Sequence, residues 1–170
     1  MKRVSARAAA RIRLLVLDVD GVLTDGGLYY GPSGEGMKRF HVQDGLAMVE
    51  ARRAGLALAV VSARVSAPVT RRLEELGVTE IHQGAPDKKA AVEELMTRLG
   101  LERTQVAVMG DDLNDLPPMR RAGLALAPRN AVREVREAAH WVSRRPGGAG
   151  AVREALELLL RSRKAWPPRP

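Results

Sequence analysis

The strongest constraint on how this chain folds is the recurrence of short, mostly apolar runs, each followed by a stretch with helical spacing. The runs are Ile12–Leu17, Leu56–Val61 and Thr104–Met109, with shorter ones at Glu80–His82, Leu124–Leu126 and His140–Val142. Between them the spacing predicts helices over Gly45–Ala54, Ala67–Leu76, Lys88–Leu99, Leu113–Ala122, Ala131–Ala138 and Ala149–Arg161. Several of these stop at a glycine (Gly55, Gly77, Gly100, Gly123), which caps a helix in the left-handed conformation at little cost. Strands without polar alternation need cover on both faces, and intervening helices supply it. The expected fold class is therefore α/β, a three-layer α/β/α sandwich around a parallel, Rossmann-like sheet. One segment breaks the alternation. From Gly26 to Val42 the chain reads as a projecting β-hairpin, with Leu28-Tyr29-Tyr30 and Met37–His41 flanking the turn residues Gly31-Pro-Ser-Gly-Glu-Gly36.

The 170 residues suit one domain, expected over 11–160. There is no cysteine, which excludes disulfides and thiolate metal sites, and the three histidines (His41, His82, His140) are scattered. The formal charge of +8 suggests a polyanion partner until it is located. Lys2, Arg3, Arg7, Arg11 and Arg13 crowd one end, and Arg161, Arg163, Lys164 and Arg169 the other, with no acid in either segment. The remainder holds 19 basic side chains against all 20 acids. With only 3% aromatic residues as well, no nucleic-acid partner is expected, and residues 1–10 and 162–170 read as basic, flexible termini. No run has the length of a signal-peptide core or a membrane span, so a soluble cytoplasmic protein without a membrane partner is expected.

Open parallel sheets bind ligands beyond the carboxyl ends of their strands. Four polar clusters fall there: Asp18-Val-Asp20, Ser62, Lys88, and Asp111-Asp112-Leu-Asn-Asp115. So many carboxylates at one end of a sheet repel unless a cation stands among them, and an all-oxygen ligand set favours Mg²⁺. A lysine and a hydroxyl beside such a metal describe a phosphate pocket. One aspartate can attack phosphorus, and its neighbour can protonate the leaving oxygen and then deprotonate water.

These residues, in this order, resemble the haloacid dehalogenase superfamily of phosphatases: Asp18-Val-Asp20-Gly-Val-Leu-Thr24, then Ser62, Lys88, and Gly110-Asp111-Asp112-x-x-Asp115. The likeness narrows. Asp18 through Gly26, the hairpin, Lys38-Arg-Phe-His-Val-Gln-Asp-Gly-Leu46 and Gly147-Gly-Ala-Gly-Ala-Val-Arg-Glu154 are similar to the 3-deoxy-D-manno-octulosonate (KDO) 8-phosphate phosphatase family, over roughly residues 11–160. The resemblance implies a capless phosphatase of lipopolysaccharide synthesis, a phosphoric monoester hydrolase using Mg²⁺. It further implies a homotetramer whose hairpins form a central barrel and whose subunits cover one another's sites. Position by position it makes Asp18 the nucleophile and Asp20 the general acid/base. Asp18, the Asp20 carbonyl and Asp111 would hold the metal, with Asp112 and Asp115 orienting its waters or Lys88. Ser62 and Lys88 would bind the phosphate, and Arg64 the sugar acid. Asp44, Gly45 and the tail residues Gly147 and Gly148 join the expected substrate contacts. Ala63 stands where the family often has glycine, and Asp87-Lys88-Lys89 offers a second lysine, although the motif favours Lys88.

Plainer readings stand beside several of these. Asp112 also reads as a helix cap and Gly147–Gly150 as a flexible entry to the last helix, while Asp44 reads first as the N-cap of a helix beginning at Gly45. Tyr29, Tyr30 and Phe40 read as subunit-interface residues, because a lone hairpin is marginal in water. Gly31-x-x-x-x-Gly36-Met-Lys38 lacks the ending of a nucleotide-binding loop, and no Gly-x-Ser-x-Gly is present. The rival substrate is another sugar-acid phosphate, such as an acylneuraminate 9-phosphate. A signalling receiver domain is disfavoured, since its phosphoacceptor lies on a later strand than its acidic pair. A non-catalytic oligomeric domain of the same fold is the rival from a different class.

Overall fold

The computed structural model describes residues 4–32 and 34–167. Six parallel strands form one sheet: β1 (Leu14–Leu17), β4 (Ala57–Val61), β5 (Glu80–His82), β6 (Val106–Met109), β7 (Leu124–Ala127) and β8 (Trp141–Val142). Their order is β5-β4-β1-β6-β7-β8. The chain thus fills one side of β1 and then the other, which opens a crevice at the carboxyl end of β1 where the order reverses.

Side chains alternate across each strand, and in the central strands β1, β6 and β7 both faces are buried, as the apolar runs require. Leu15 and Leu17 pack into one core with α2 (Val42–Arg53), α3 (Ala67–Glu75) and α7 (Ala151–Ser162). Leu14 and Val16 pack into the other with α4 (Lys88–Arg98), α5 (Leu116–Arg121) and α6 (Arg133–Ala138). A fully buried leucine side chain contributes about 1.5–3 kcal/mol. Leu14, Leu15 and Leu17 all fall in that class, so the strand that carries the first acidic pair is also among the most firmly anchored.

The hairpin pairs β2 (Tyr29–Gly31) antiparallel with β3 (Gly34–Met37), and a bridge between Thr24 and Phe40 closes its base. Leu28, Tyr29, Tyr30 and Met37 are exposed there. Phe40, expected at a subunit contact, instead packs partly buried on its own core.

The ends differ from the expectation of frayed segments. Residues 1–3 and 168–170 lie outside the described residues, but Ala6–Ala10 form a helix, α1, capped by the Ser5 hydroxyl, which accepts the Ala8 N–H at 3.1 Å. Its alanines permit close approach to α7: Ala9 is wholly buried, and Val4, Ala165 and Trp166 pack on the same core. The Arg153 guanidinium lies 4.8 Å from the Trp166 ring centre, a cation–π contact that ties α7 to the segment after it.

Candidate active site

The chain leaves β1 at Asp18, whose N–H still donates to Met109 O at 3.0 Å, and enters a wide turn over Val19–Leu23. Thr24 locks the turn: its N–H and hydroxyl both donate to Val19 O. Gly21 adopts φ +89, and a Cβ there would overlap the Asp111 carboxylate. Glycine is therefore demanded twice, by conformation and by the acid that comes from the end of β6.

Asp18, Ser62, Lys88 and Asp111 line one cavity of about 140 Å³ at the carboxyl ends of the strands, with Asp20 and Arg64 toward the hairpin and Asp112 and Asn114 completing it. Two larger grooves, of about 450 and 460 Å³, lie elsewhere, one against α2 and α3 and one beside α7; neither gathers an acid cluster. Chemistry rather than volume marks the site.

Lys88 enters from the first turn of α4, with Asp87 capping that helix by accepting the Ala90 N–H at 3.0 Å. Its buried ammonium donates to Asp18 Oδ1 at 2.6 Å and to Asp115 Oδ1 at 2.7 Å. One positive charge serves two carboxylates. Burial and the charge of Asp115 push the Asp18 carboxyl up to about 7 despite Lys88, while both acids hold the Lys88 ammonium above its ordinary range against the opposing effect of its burial. Asp115 Oδ2 accepts the N–H groups of Asp111 and Asp112 at 3.0 and 3.3 Å, so this acid fixes the lysine with one oxygen and the acidic loop with the other. Asp112 is exposed and accepts the Leu113 N–H at 2.7 Å, the capping role that was one of its two readings.

Carboxylate oxygens of Asp18, Asp111 and Asp115 lie within 4.8 Å of one another. The Asp111 side chain accepts no hydrogen bond among the described residues, and burial, then Asp18, Asp115 and Asp112, push it up to about 8. A half-buried acid with oxygen neighbours and no cation of its own fits a hard divalent ion such as Mg²⁺.

Ser62 follows β4 and is buried; its Oγ accepts the Arg64 N–H at 3.2 Å, a bond that does not use its own O–H. Asp20 turns to the hairpin, where Oδ1 accepts from Lys38 Nζ at 2.6 Å and Arg64 Nε stands 3.8 Å from Oδ2. Arg64 also donates to the Tyr30 hydroxyl at 2.9 Å, so Tyr30 faces the site region.

The remaining expected substrate contacts lie elsewhere. Asp44 caps not its own helix, which begins at Val42, but α7: it accepts the Gly150 N–H at 3.2 Å and the Arg153 N–H at 2.6 Å. Gly45 faces Arg72 and Leu76. Gly147 and Gly148 pack against the turn after β1, where added Cβ atoms would overlap Gly21 O and Asp25 N, and the Gly148 N–H donates to Val22 O at 3.1 Å. None of the four lines the cavity. The glycines permit close approach of backbone to backbone, and Asp44 steadies them from behind. Lys38 opens one of the stretches that carry the family resemblance, but sequence reasoning assigned it no role at the site.

An aspartate at a strand end, an acid two residues on, a hydroxyl, a lysine and a second acidic strand end define a phosphoryl-transfer hydrolase. Residues 72–156 match the family model of haloacid dehalogenase-like hydrolases, and the chain belongs to that family. The 3-deoxy-D-manno-octulosonate 8-phosphate phosphatases of Yersinia pestis and Escherichia coli K12 are each 41% identical to it over 152 residues, covering 89% of this chain and 81% of theirs. The crystal structure of the Moraxella catarrhalis phosphatase, in complex with magnesium ion, phosphate ion and KDO, superposes with a TM-score of 0.92 at 39% identity, over 95% of this chain and 92% of that one. The cobalt-bound Haemophilus influenzae enzyme gives 0.91 at 36%, over 94% and 95%. Within the hydrolases, then, the chain belongs to the 3-deoxy-D-manno-octulosonate 8-phosphate phosphatase family.

Proposed function

We propose that the chain is a Mg²⁺-dependent phosphomonoesterase that hydrolyses 3-deoxy-D-manno-octulosonate 8-phosphate to the free sugar acid and phosphate, a step of lipopolysaccharide synthesis. The observation that carries the chemistry is the single cavity shared by Asp18, Asp20, Ser62, Lys88 and Asp111. Asp18 attacks phosphorus to form an aspartyl-phosphate while Asp20 gives a proton to the sugar oxygen. Asp20 then takes a proton from water, which attacks the same phosphorus and frees Asp18. Ser62 donates to a phosphoryl oxygen, and Lys88 holds Asp18 in line and neutralises the transferred group. Asp18, the Asp20 carbonyl and Asp111 would hold Mg²⁺, which supplies charge neutralisation at the phosphoryl oxygens. Asp115 keeps Lys88 and the acidic loop in place. Arg64 meets the sugar-acid carboxylate from the hairpin side.

The sugar is assigned on the similarity to named phosphatases, and the reaction class rests on the residues as well. The hairpin's exposed Leu28, Tyr29, Tyr30 and Met37 support the homotetramer, for which light scattering should return the mass of four chains. No helix among the described residues is long and apolar enough to cross a membrane. That agrees with a reaction in the cytoplasm, which cell fractionation tests.

The deciding assay is phosphate release from 3-deoxy-D-manno-octulosonate 8-phosphate with Mg²⁺, beside EDTA and Asp18→Asn. Release that chelation stops and the substitution lowers at least ~10⁴-fold is expected. No release above the variant would sink the substrate, and an acylneuraminate 9-phosphate in the same assay then separates a different sugar from a silent fold.

A further inference from the structure

The second aspartate is held from outside the sheet. Lys38 follows β3 on the hairpin, and its side chain is 0% exposed where it meets Asp20 Oδ1 at 2.6 Å; the Asp20 side chain keeps 22%. Withdrawing an ammonium from water costs several kcal/mol unless a carboxylate meets it. Lys88 does not serve this aspartate, since its two bonds go to Asp18 and Asp115. Asp20 Oδ2, by contrast, accepts no hydrogen bond among the described residues, and Arg64 Nε at 3.8 Å is beyond hydrogen-bond reach.

We infer that Lys38 is a positioning residue for proton transfer. By occupying Oδ1 it fixes the Asp20 side chain and reserves Oδ2 for the travelling proton. In the first half-reaction the Asp18–phosphorus bond forms, the bond from phosphorus to the leaving oxygen breaks, and the Oδ2 proton passes to that oxygen. In the second, a water proton returns to Oδ2 as the water oxygen bonds to phosphorus and Asp18 departs. Lys38 loses and gains no proton in either. The inference rests on the phosphomonoesterase reading above and adds a consequence: the hairpin must be seated for the leaving group to be protonated.

The test uses the full-length chain with Mg²⁺, its Lys38→Met and Lys38→Arg variants, and a series of substituted phenyl phosphates from p-nitrophenyl to unsubstituted phenyl. For these esters kcat/KM reports events up to phosphorylation of Asp18. p-Nitrophenolate leaves without a proton, so Lys38→Met should lower its kcat/KM by no more than about 3-fold. Phenyl phosphate needs the proton and should fall about 100-fold, within the usual range for general acid catalysis. Lys38→Arg, which still donates to Oδ1, should recover most of the loss. None of these esters carries a carboxylate, so sugar-acid recognition cannot produce the slope. Partial unfolding scales every ester alike and cannot produce it either. A uniform loss across the series, a change confined to KM, or no change overturns the role of Lys38. A wild-type chain that hydrolyses none of the esters overturns the phosphomonoesterase reading itself, and this inference with it.

Discussion

Asp18 and Asp20 are two residues apart, yet they belong to different parts of the molecule. Asp18 closes a central strand, is buried, and meets a lysine delivered by a core helix. Asp20 has turned out of the sheet and meets a lysine delivered by the hairpin. The difference matches the work proposed for each. A nucleophile must stay in line with phosphorus, so its support is built into the floor of the fold. A proton shuttle must serve a leaving oxygen and then a water, so its support comes from an element that sits over the cavity and is anchored by few core residues.

The comparison breaks most visibly if the two lysines are removed in turn. Lys88→Met leaves Asp18 and Asp115 buried without their cation and should cost about 3–5 kcal/mol of stability, measured by urea unfolding in EDTA. Lys38→Met leaves one carboxylate that is still 22% exposed and should cost less, about 1–3 kcal/mol, in the same experiment. Equal costs would erase the distinction between floor and hairpin.

The floor also stores repulsion that a metal relieves. In the metal-free fold Asp18 and Asp111 titrate at about 7 and about 8, against 3.8 for an ordinary aspartate. Both carboxyls therefore bind protons more tightly folded than unfolded, and unfolding releases protons across that window. Stability in EDTA should fall as pH rises from about 4 to about 8, and the Tm gain on adding Mg²⁺ should grow over the same range. A gain independent of pH would contradict the acid cluster as the metal's seat.

How much of this was legible follows the same division. The floor could be read because its parts are local: an apolar run that stops at Asp18, another that stops at Ser62, a third that runs into Gly110-Asp111. Burial on both sheet faces dictates those runs, and the parallel sheet then brings their ends together without further information. Lys38 was illegible because its meaning depends on a hairpin folding back over a strand end, and no periodicity records that. Asp44 misled for a related reason. It sits near a helix start, where an acid reads as a cap, but the N–H groups it accepts belong to a helix more than a hundred residues on. The helix α1 is five residues of mostly alanine, too short and too uniform to carry a pattern, and only its packing on α7 explains it.

Gly21 stands where floor and hairpin join, and it sharpens the contrast. Gly21→Ala forces an unfavourable φ and displaces the Asp111 carboxylate. Mg²⁺ affinity should weaken about 10–100-fold, as for disturbed metal surroundings generally, by calorimetric titration. The overall fold should survive, because Gly21 lies outside both cores. Asp44→Ala serves as a control outside both halves. Losing the acceptor of two backbone N–H groups should cost about 1–3 kcal/mol in thermal unfolding, with little change in kcat.

The glycine contact between residues 147–148 and the turn after β1 also bears on the order in which the molecule is made. The backbone wall behind the Asp18 turn, at Gly147 and Gly148, lies far along the chain from Asp18 itself. Closure across so long a span is slow compared with local pairing. A folding chain can assemble β1 through β7 and both acidic strand ends while the turn beside Asp18 still lacks its backing. The turn beside Asp18 is thus complete only once Gly147 and Gly148 have packed against it.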